Sequence, residues 1–203
     1  MTAAYPKIYL ASASPRRAEL LTQIGVAFDV LRLGDFTVDE SVHGREAPLA
    51  YVKRLAHAKA AAGIKAMRAQ QRAPRPVLAA DTTVCIGRMI LGKPEDVAGA
   101  RRMLALLSGK THRVLTAIAL ARGGSIKVAV SDSRVTFAPL TRRQIDAYIA
   151  TDEPFDKAGA YGIQGHAGAM ISHLSGSYSG VMGLPVHETA QLLGAYGPGR
   201  RVS

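Results

Sequence analysis

The stretch VLAADTTVCIG (77–87) constrains the fold more than any other segment of this 203-residue chain. It is nearly continuous in apolar and β-branched residues and follows Pro76, so it reads as a mostly buried strand or strand pair. Asp81 stands inside it. A carboxylate at such a position either ends a strand and faces a cleft, or is tied into structural hydrogen bonds. Thr82 and Thr83 stand next to it and could supply those bonds.

The segments on either side alternate between helical and strand signals. KIYLASA (7–13) reads as a strand and 15–24 as a helix, with Ser14 as N-cap, Pro15 in the first turn and Gly25 as the stop. VAFDVLRL (26–33) is a second strand, and GDFTVDESVHGREA (34–47) is a polar loop. A long helix runs over 48–71, and RAPRP (72–76) is an exposed connection. GRMILGKP (87–94) reads as a short hairpin element, 95–109 as a helix, and 111–121 and 126–140 as adjacent strands. Thr141 caps a helix over 141–150, the Gly-rich segment 151–185 reads as turns, and 186–197 is the closing helix. The expected architecture is α/β, with helices covering a mixed sheet. No internal repeat divides the chain, which is expected to be one domain over 1–203 with a basic tail at 198–203.

Charge and composition narrow the function. The formal charge of +11 points to polyanionic partners: nucleic acid, an anionic membrane or phosphorylated small molecules. The basic residues are scattered, however, and 18 of the 26 are Arg in an Ala- and Gly-rich chain, a mixture that genomic base composition can produce. Four Phe and no Trp leave few platforms for stacking on single strands, so charge alone does not assign nucleic-acid binding. No apolar run nears the roughly 20 residues of a membrane span, and the N-terminus has no signal-peptide pattern, so a soluble, cytoplasmic protein is expected. The one cysteine, Cys85, excludes an internal disulfide and reads as a core residue.

Several residues break local rules. Arg16 and Arg17 lie in the first turn of a helix, at the positive end of its dipole, which is unfavourable unless an anion binds there. Lys59 continues the inward face of the long helix, so it either snorkels along its stem or points its ammonium into a cleft. Lys93 lies in a Gly-Lys-Pro turn that a returning hairpin could bring near Asp81. Asp39 and Glu40 form an acidic pair of the hard-oxygen kind that suits Mg²⁺ beside phosphates. The six histidines show no zinc spacing and read as surface or structural groups. There is no P-loop, no Gly-x-Gly-x-x-Gly after a strand and no Gly-x-Ser-x-Gly. The combination suits a metal-assisted attack on a phosphate.

The motifs LASASPRRAELL, VDE, RLAHAKA, ADTTV, LGKPED, LSGKTHRVLTA, DKAGAYGIQG and GSYSGVMGLP occur in this order from about Ile8 to Leu193. With them the chain resembles the Maf family of nucleoside triphosphate pyrophosphatases, and within it the branch acting on dTTP and UTP rather than on 7-methyl-GTP. The resemblance implies a two-lobed α/β fold around a central cleft, related to the inosine triphosphate pyrophosphatases. It implies hydrolysis of a nucleoside triphosphate to monophosphate and pyrophosphate with a divalent metal, Mg²⁺ or Mn²⁺, a homodimer, and a possible link to septum formation. By the same resemblance, Asp81 matches the proton acceptor. Arg16, Thr82 and Gln164 match specificity positions, and Ser12, Glu40, Lys59 and Lys93 match the phosphate and metal site.

On this reading the anion at the Ser-Pro-Arg-Arg turn is the triphosphate, held by Ser12, Arg16 and the free N–H groups of the turn. Arg17, one position on, is expected to point elsewhere, towards solvent. Glu40 holds the metal; Lys59 and Lys93 offset charge on the leaving pyrophosphate. Gln164 offers a donor and an acceptor to the alternating edge that uracil and thymine share. Gly159, Gly162 and Gly165 let the backbone approach the base, or are plain turns. The alternatives are a 7-methyl-GTP pyrophosphatase, a nucleic-acid binder, and a cell-division regulator with a vestigial cleft.

Overall fold

The structure, a computed structural model, describes residues 5–194. The expected basic tail at 198–203 lies outside the described residues. Strands β1 (Ile8–Leu10), β2 (Phe28–Val30), β3 (Val77–Ile86), β4 (Met89–Leu91), β5 (Thr111–Arg122), β6 (Ser125–Phe137) and β7 (Ile171–Ser175) form one mixed sheet. Its order is β2-β1-β3-β5-β6-β7, with β4 also paired to β3. The β1 pairings with β2 and β3 are parallel and all the others antiparallel. Around it lie helices α1 (Pro15–Gln23), α2 (Pro48–Ala69), α3 (Val97–Leu107), α4 (Arg142–Ile149), α5 (Tyr178–Met182) and α6 (Val186–Gly194). The mixed α/β architecture is the one expected. No helix of the described residues is long and apolar enough to cross a membrane.

Local chemistry accounts for the helix ends. Pro15 and Pro48 occupy first turns, where the missing N–H costs nothing. Asp96 caps α3 by accepting from the Gly99 N–H, and Thr141 and Gln144 form a reciprocal capping box on α4. Gly25 stops α1 with φ +71°, a conformation that disfavours other residues. Two elements within 151–185 went unforeseen. β7 pairs with β6 some 40 residues earlier, and the five-residue α5 is too short to show a helical period. β1 and β2 are shorter than the alternation predicts, because each has a parallel partner over only two or three residues.

Alternation along β3 divides the core. Val77, Ala79 and Cys85 pack in the cluster under α2, with Val52, Ala56 and Ala60. Leu78 and Ala80 pack on the opposite face, with Leu20 and Leu21 of α1 and Leu193 of α6. Beyond the middle of the strand, Val84 joins a third cluster with Leu104 of α3 and Ile145 of α4. Asp81 and Thr82 thus lie at the junction of all three clusters, pointing to opposite faces.

His112 is one of the buried polar groups of this core, at 2% exposure. Nε2 lies 2.8 Å from the Tyr161 hydroxyl, and Nδ1 has no partner. The ring packs against Phe137 and Tyr161. Burial holds its pKa down at about 4. The unfolded chain therefore takes up this proton first on acidification. The contribution is intact above pH 6.5 and is lost as pH falls from there towards 4. Between pH 8 and pH 5 His112 is expected to cost about 2 kcal/mol of stability. Urea unfolding at the two pH values, compared with His112→Gln, measures it; the variant loses that part of the slope.

Candidate active site

The parallel pairing of β1 with β3 ends at Leu10 and Leu78, and the pairing of β4 with the same edge begins at Val84. Between them that edge of β3 has no strand beside it. A cavity of about 420 Å³ opens there, within the usual range for small-molecule sites. Its walls come from the start of α1, the 34–47 loop, α2, β3, β4, the Gly-rich segment and α5.

Asp81 and Thr83 share the face covered by α2, which brings Lys59 to them. Lys59 Nζ donates to Asp81 Oδ1 at 2.7 Å and lies 2.7 Å from Glu40 Oε1. Of the two readings open for Lys59, the ammonium in a cleft is therefore the observed one. Both side chains of the inner pair are largely buried, at 17% and 10% exposure, and Thr83 Oγ1 donates to Asp81 Oδ2 at 3.4 Å. Glu40 reaches in because its loop is clamped. The Tyr51 hydroxyl donates to the Glu40 carbonyl, and Arg54 donates to the Asp39 and Ser41 carbonyls and to Glu46. Asp39 instead accepts from the Ser41 N–H and approaches His43, which hold its carboxyl far below the usual range. The acidic pair is split: Glu40 lines the cavity and Asp39 does not.

Arg17 overturns the expectation of a solvent-facing side chain. Nε donates to the Gly183 carbonyl at 2.9 Å, Nη1 to Ser12 Oγ at 3.1 Å and Nη2 to Thr82 Oγ1 at 3.3 Å. The rigid fork of the guanidinium joins the β1 loop, β3 and the end of α5. Burial pushes its pKa down; the Asp81 carboxylate opposes this and the Arg16 charge adds to it. Sequence reasoning missed Arg17 because helical spacing could not show that α5 stands on that side. Thr82 is held from behind too: Thr116 Oγ1 stands 3.0 Å from it and donates to the Gly180 carbonyl at 2.7 Å.

The other expected residues fall into two places. Arg16, Lys93 and Gln164 line the same cavity as Asp81, Thr82, Lys59 and Glu40. Arg16 lies at the rim, with Nη1 3.4 Å from Asp156 Oδ2. Ser12 stands behind the wall, accepting from Arg17 and from the Ser14 N–H. Ser14 does occupy the N-cap position of α1 and lines the cavity, but its side chain makes no cap bond. The first-turn N–H groups are therefore left for an anion. Gly162 and Gly165 approach protein groups rather than open space: a Cβ would run into the Lys157 side chain at the first and the Glu153 carboxylate at the second.

Among the described residues no group of three His, Cys, Asp or Glu could hold a metal ion by itself. By donor chemistry Glu40 and Asp81 suit Mg²⁺, which takes one or two carboxylates, and they converge: each has an oxygen 2.7 Å from the same Lys59 Nζ. Waters and substrate oxygens would complete such a shell.

The family model for Maf-like protein matches residues 7–196. Curated relatives named dTTP/UTP pyrophosphatase match along nearly their whole length. The one from Polaromonas sp. is 54% identical over 94% of this chain and 96% of its own. Those from Ralstonia nicotianae and Chromobacterium violaceum are 53% and 50% identical, each over 94% of this chain and 94% and 95% of their own. A HAM1 protein from Coxiella burnetii superposes with a TM-score of 0.51 at 15% identity, covering 93% of this chain and 98% of its own, a likeness of fold. The chain belongs to the Maf-like protein family.

Among the described residues, Lys59 is the cation paired with both Glu40 and Asp81. Lys59→Met should therefore cost about 3 kcal/mol by leaving Asp81 uncompensated. Adding Asp81→Asn should recover most of it. Urea unfolding of the single and double variants checks both.

Proposed function

We propose that this protein is a nucleoside triphosphate pyrophosphatase that hydrolyses dTTP and UTP to the monophosphate and pyrophosphate. One observation carries the reading: a buried-strand carboxylate, Asp81, shares one cavity with Arg16, Arg17, Lys59 and Lys93. An acid placed among cations suits attack on a polyanion. The names of the relatives at 50–54% identity support the choice of dTTP and UTP.

In this reading the triphosphate lies against the first turn of α1, where Arg16 and the free N–H groups meet its oxygens. Arg17 sets the shape of that wall by locking Ser12, Thr82 and Gly183 together. Asp81 accepts a hydrogen bond from a water, orients it towards the α-phosphorus and takes its proton. The bond from the α-phosphorus to the bridging oxygen breaks, and pyrophosphate leaves with the electron pair. Lys93 and Arg16 offset the charge that builds there. Lys59 holds Asp81 and Glu40 in place before substrate enters. Glu40, with Asp81, would hold a divalent cation, Mg²⁺ or Mn²⁺; when bound it supplies positive charge to the phosphates and acidifies water. Gln164 presents its amide to the base: the acceptor to the ring N3–H, the donor to a neighbouring carbonyl.

Purified protein with Mg²⁺ or Mn²⁺ is expected to release pyrophosphate from dTTP and UTP in preference to CTP, GTP, ATP and 7-methyl-GTP. Preference for 7-methyl-GTP would keep the chemistry and overturn the pyrimidine assignment. Asp81→Asn should fold and lose about 10²-fold or more in kcat, the share of a general base. Full activity of that variant would overturn the role of Asp81.

A further inference from the structure

Gln164 lines the cavity yet makes no hydrogen bond with another described residue. Its aim therefore depends on its backbone. That backbone is permissive: Gly159, Gly162, Gly165 and Gly168 recur at every third position around it. A side chain meant to select a base cannot be aimed by such a segment unless something outside grips it.

The grip is a single carboxylate. Glu153 Oε2 accepts from the His166 N–H at 3.0 Å and lies 3.0 Å from the same residue's Nδ1. Glu153 Oε1 accepts from the Tyr148 hydroxyl at 2.9 Å. That hydroxyl in turn accepts from the Gly162 N–H at 3.3 Å. The chain is thus tied two residues before Gln164 and two residues after it. Between the ties, the Gly165 N–H donates to the Gly162 carbonyl at 3.1 Å and closes a turn that contains Gln164. Gly165 has no Cβ because the Glu153 carboxylate occupies that space.

The grip is itself anchored. Tyr148 is buried at 4% exposure, on α4 within the core cluster it shares with Leu104 and Tyr161. Glu153 is 14% exposed at its side chain, and its carbonyl accepts from Lys157 Nζ at 2.7 Å. Burial pushes the Tyr148 hydroxyl up, so it stays a donor. Burial also works against the Glu153 carboxylate, but the donors from His166 and Tyr148 win and keep it below its ordinary value. Neither residue lines the cavity.

We infer that Glu153 and Tyr148 are positioning residues for base selection, holding the turn that aims the Gln164 amide. This rests on the reading of Gln164 given above. Their loss is expected to blur discrimination between bases while leaving phosphate chemistry intact.

The test compares kcat/KM for dTTP and dCTP, whose rings reverse donor and acceptor at the edge Gln164 would read. Tyr148→Phe keeps the ring and removes the bridging hydroxyl; Glu153→Gln keeps the size and removes the charge. Each is expected to lower the dTTP-to-dCTP ratio about fivefold, the effect of one misplaced hydrogen bond, through KM for dTTP with dCTP turnover unchanged. Combined with Gln164→Ala, neither should lower the ratio further than Gln164→Ala alone. Equal losses on both substrates, or an unchanged ratio in both folded variants, would overturn the inference. If Gln164→Ala collapses the ratio and the other two leave it intact, the inference falls and the reading of Gln164 stands. If Gln164→Ala itself leaves the ratio unchanged, both fall together.

Discussion

A sheet can leave part of an inner edge bare only where water or a ligand can satisfy the backbone and where the side chains can face something polar. β3 does this between Leu78 and Val84, in the interval after β1 stops and before β4 starts. Strand alternation then does the sorting. Asp81 and Thr83 turn to α2, where Lys59 waits, and Thr82 turns to the side of α1 and α5, where Arg17 waits. The apolar residues on either side of the interval hold the strand in the core, so the polar residues within it cannot drift.

Charge in the cleft is arranged rather than merely abundant. Among the described residues five cations line the cavity, Arg16, Arg17, Lys59, Lys93 and Lys157, against three carboxylates, Glu40, Asp81 and Asp156. The carboxylates are engaged by cations within the protein: Glu40 and Asp81 by Lys59, and Asp156 by Arg16 and Lys157. The arginine of the α1 first turn that was expected to face solvent is the one that binds three segments together. The like charge of its neighbour is tolerated because Arg16 leans out to Asp156 while Arg17 leans in.

Much of the fold could be read from local pattern. The helix starts at Pro15, Pro48, Asp96 and Thr141 follow from caps and first-turn residues, and the long strands follow from their apolar runs. The candidate residues Asp81, Lys59, Glu40 and Gln164 were visible because each breaks a local rule or sits in a motif. What local pattern could not show was whatever depends on a neighbour remote in sequence: the direction of Arg17, the place of Ser12 behind the wall, the strand β7 and the split between Asp39 and Glu40. The glycines at 162 and 165 belong with these, since their reason is the position of Lys157 and Glu153.

The amino-acid sequence by itself determined the long strands and most helices, the family, and which residue types are available for phosphate chemistry. Those follow from periodicity, capping and motif order, all of which act over a few residues. The tertiary structure alone decided which cation faces which carboxylate and which face of β3 each polar side chain meets. It alone decided what holds the turn around Gln164. Those outcomes depend on pairings across 65 positions for Arg17 and Thr82, 22 for Lys59 and Asp81, and 13 for Glu153 and His166. Closing such separations takes the burial of three core clusters, and no local preference in the chain specifies it.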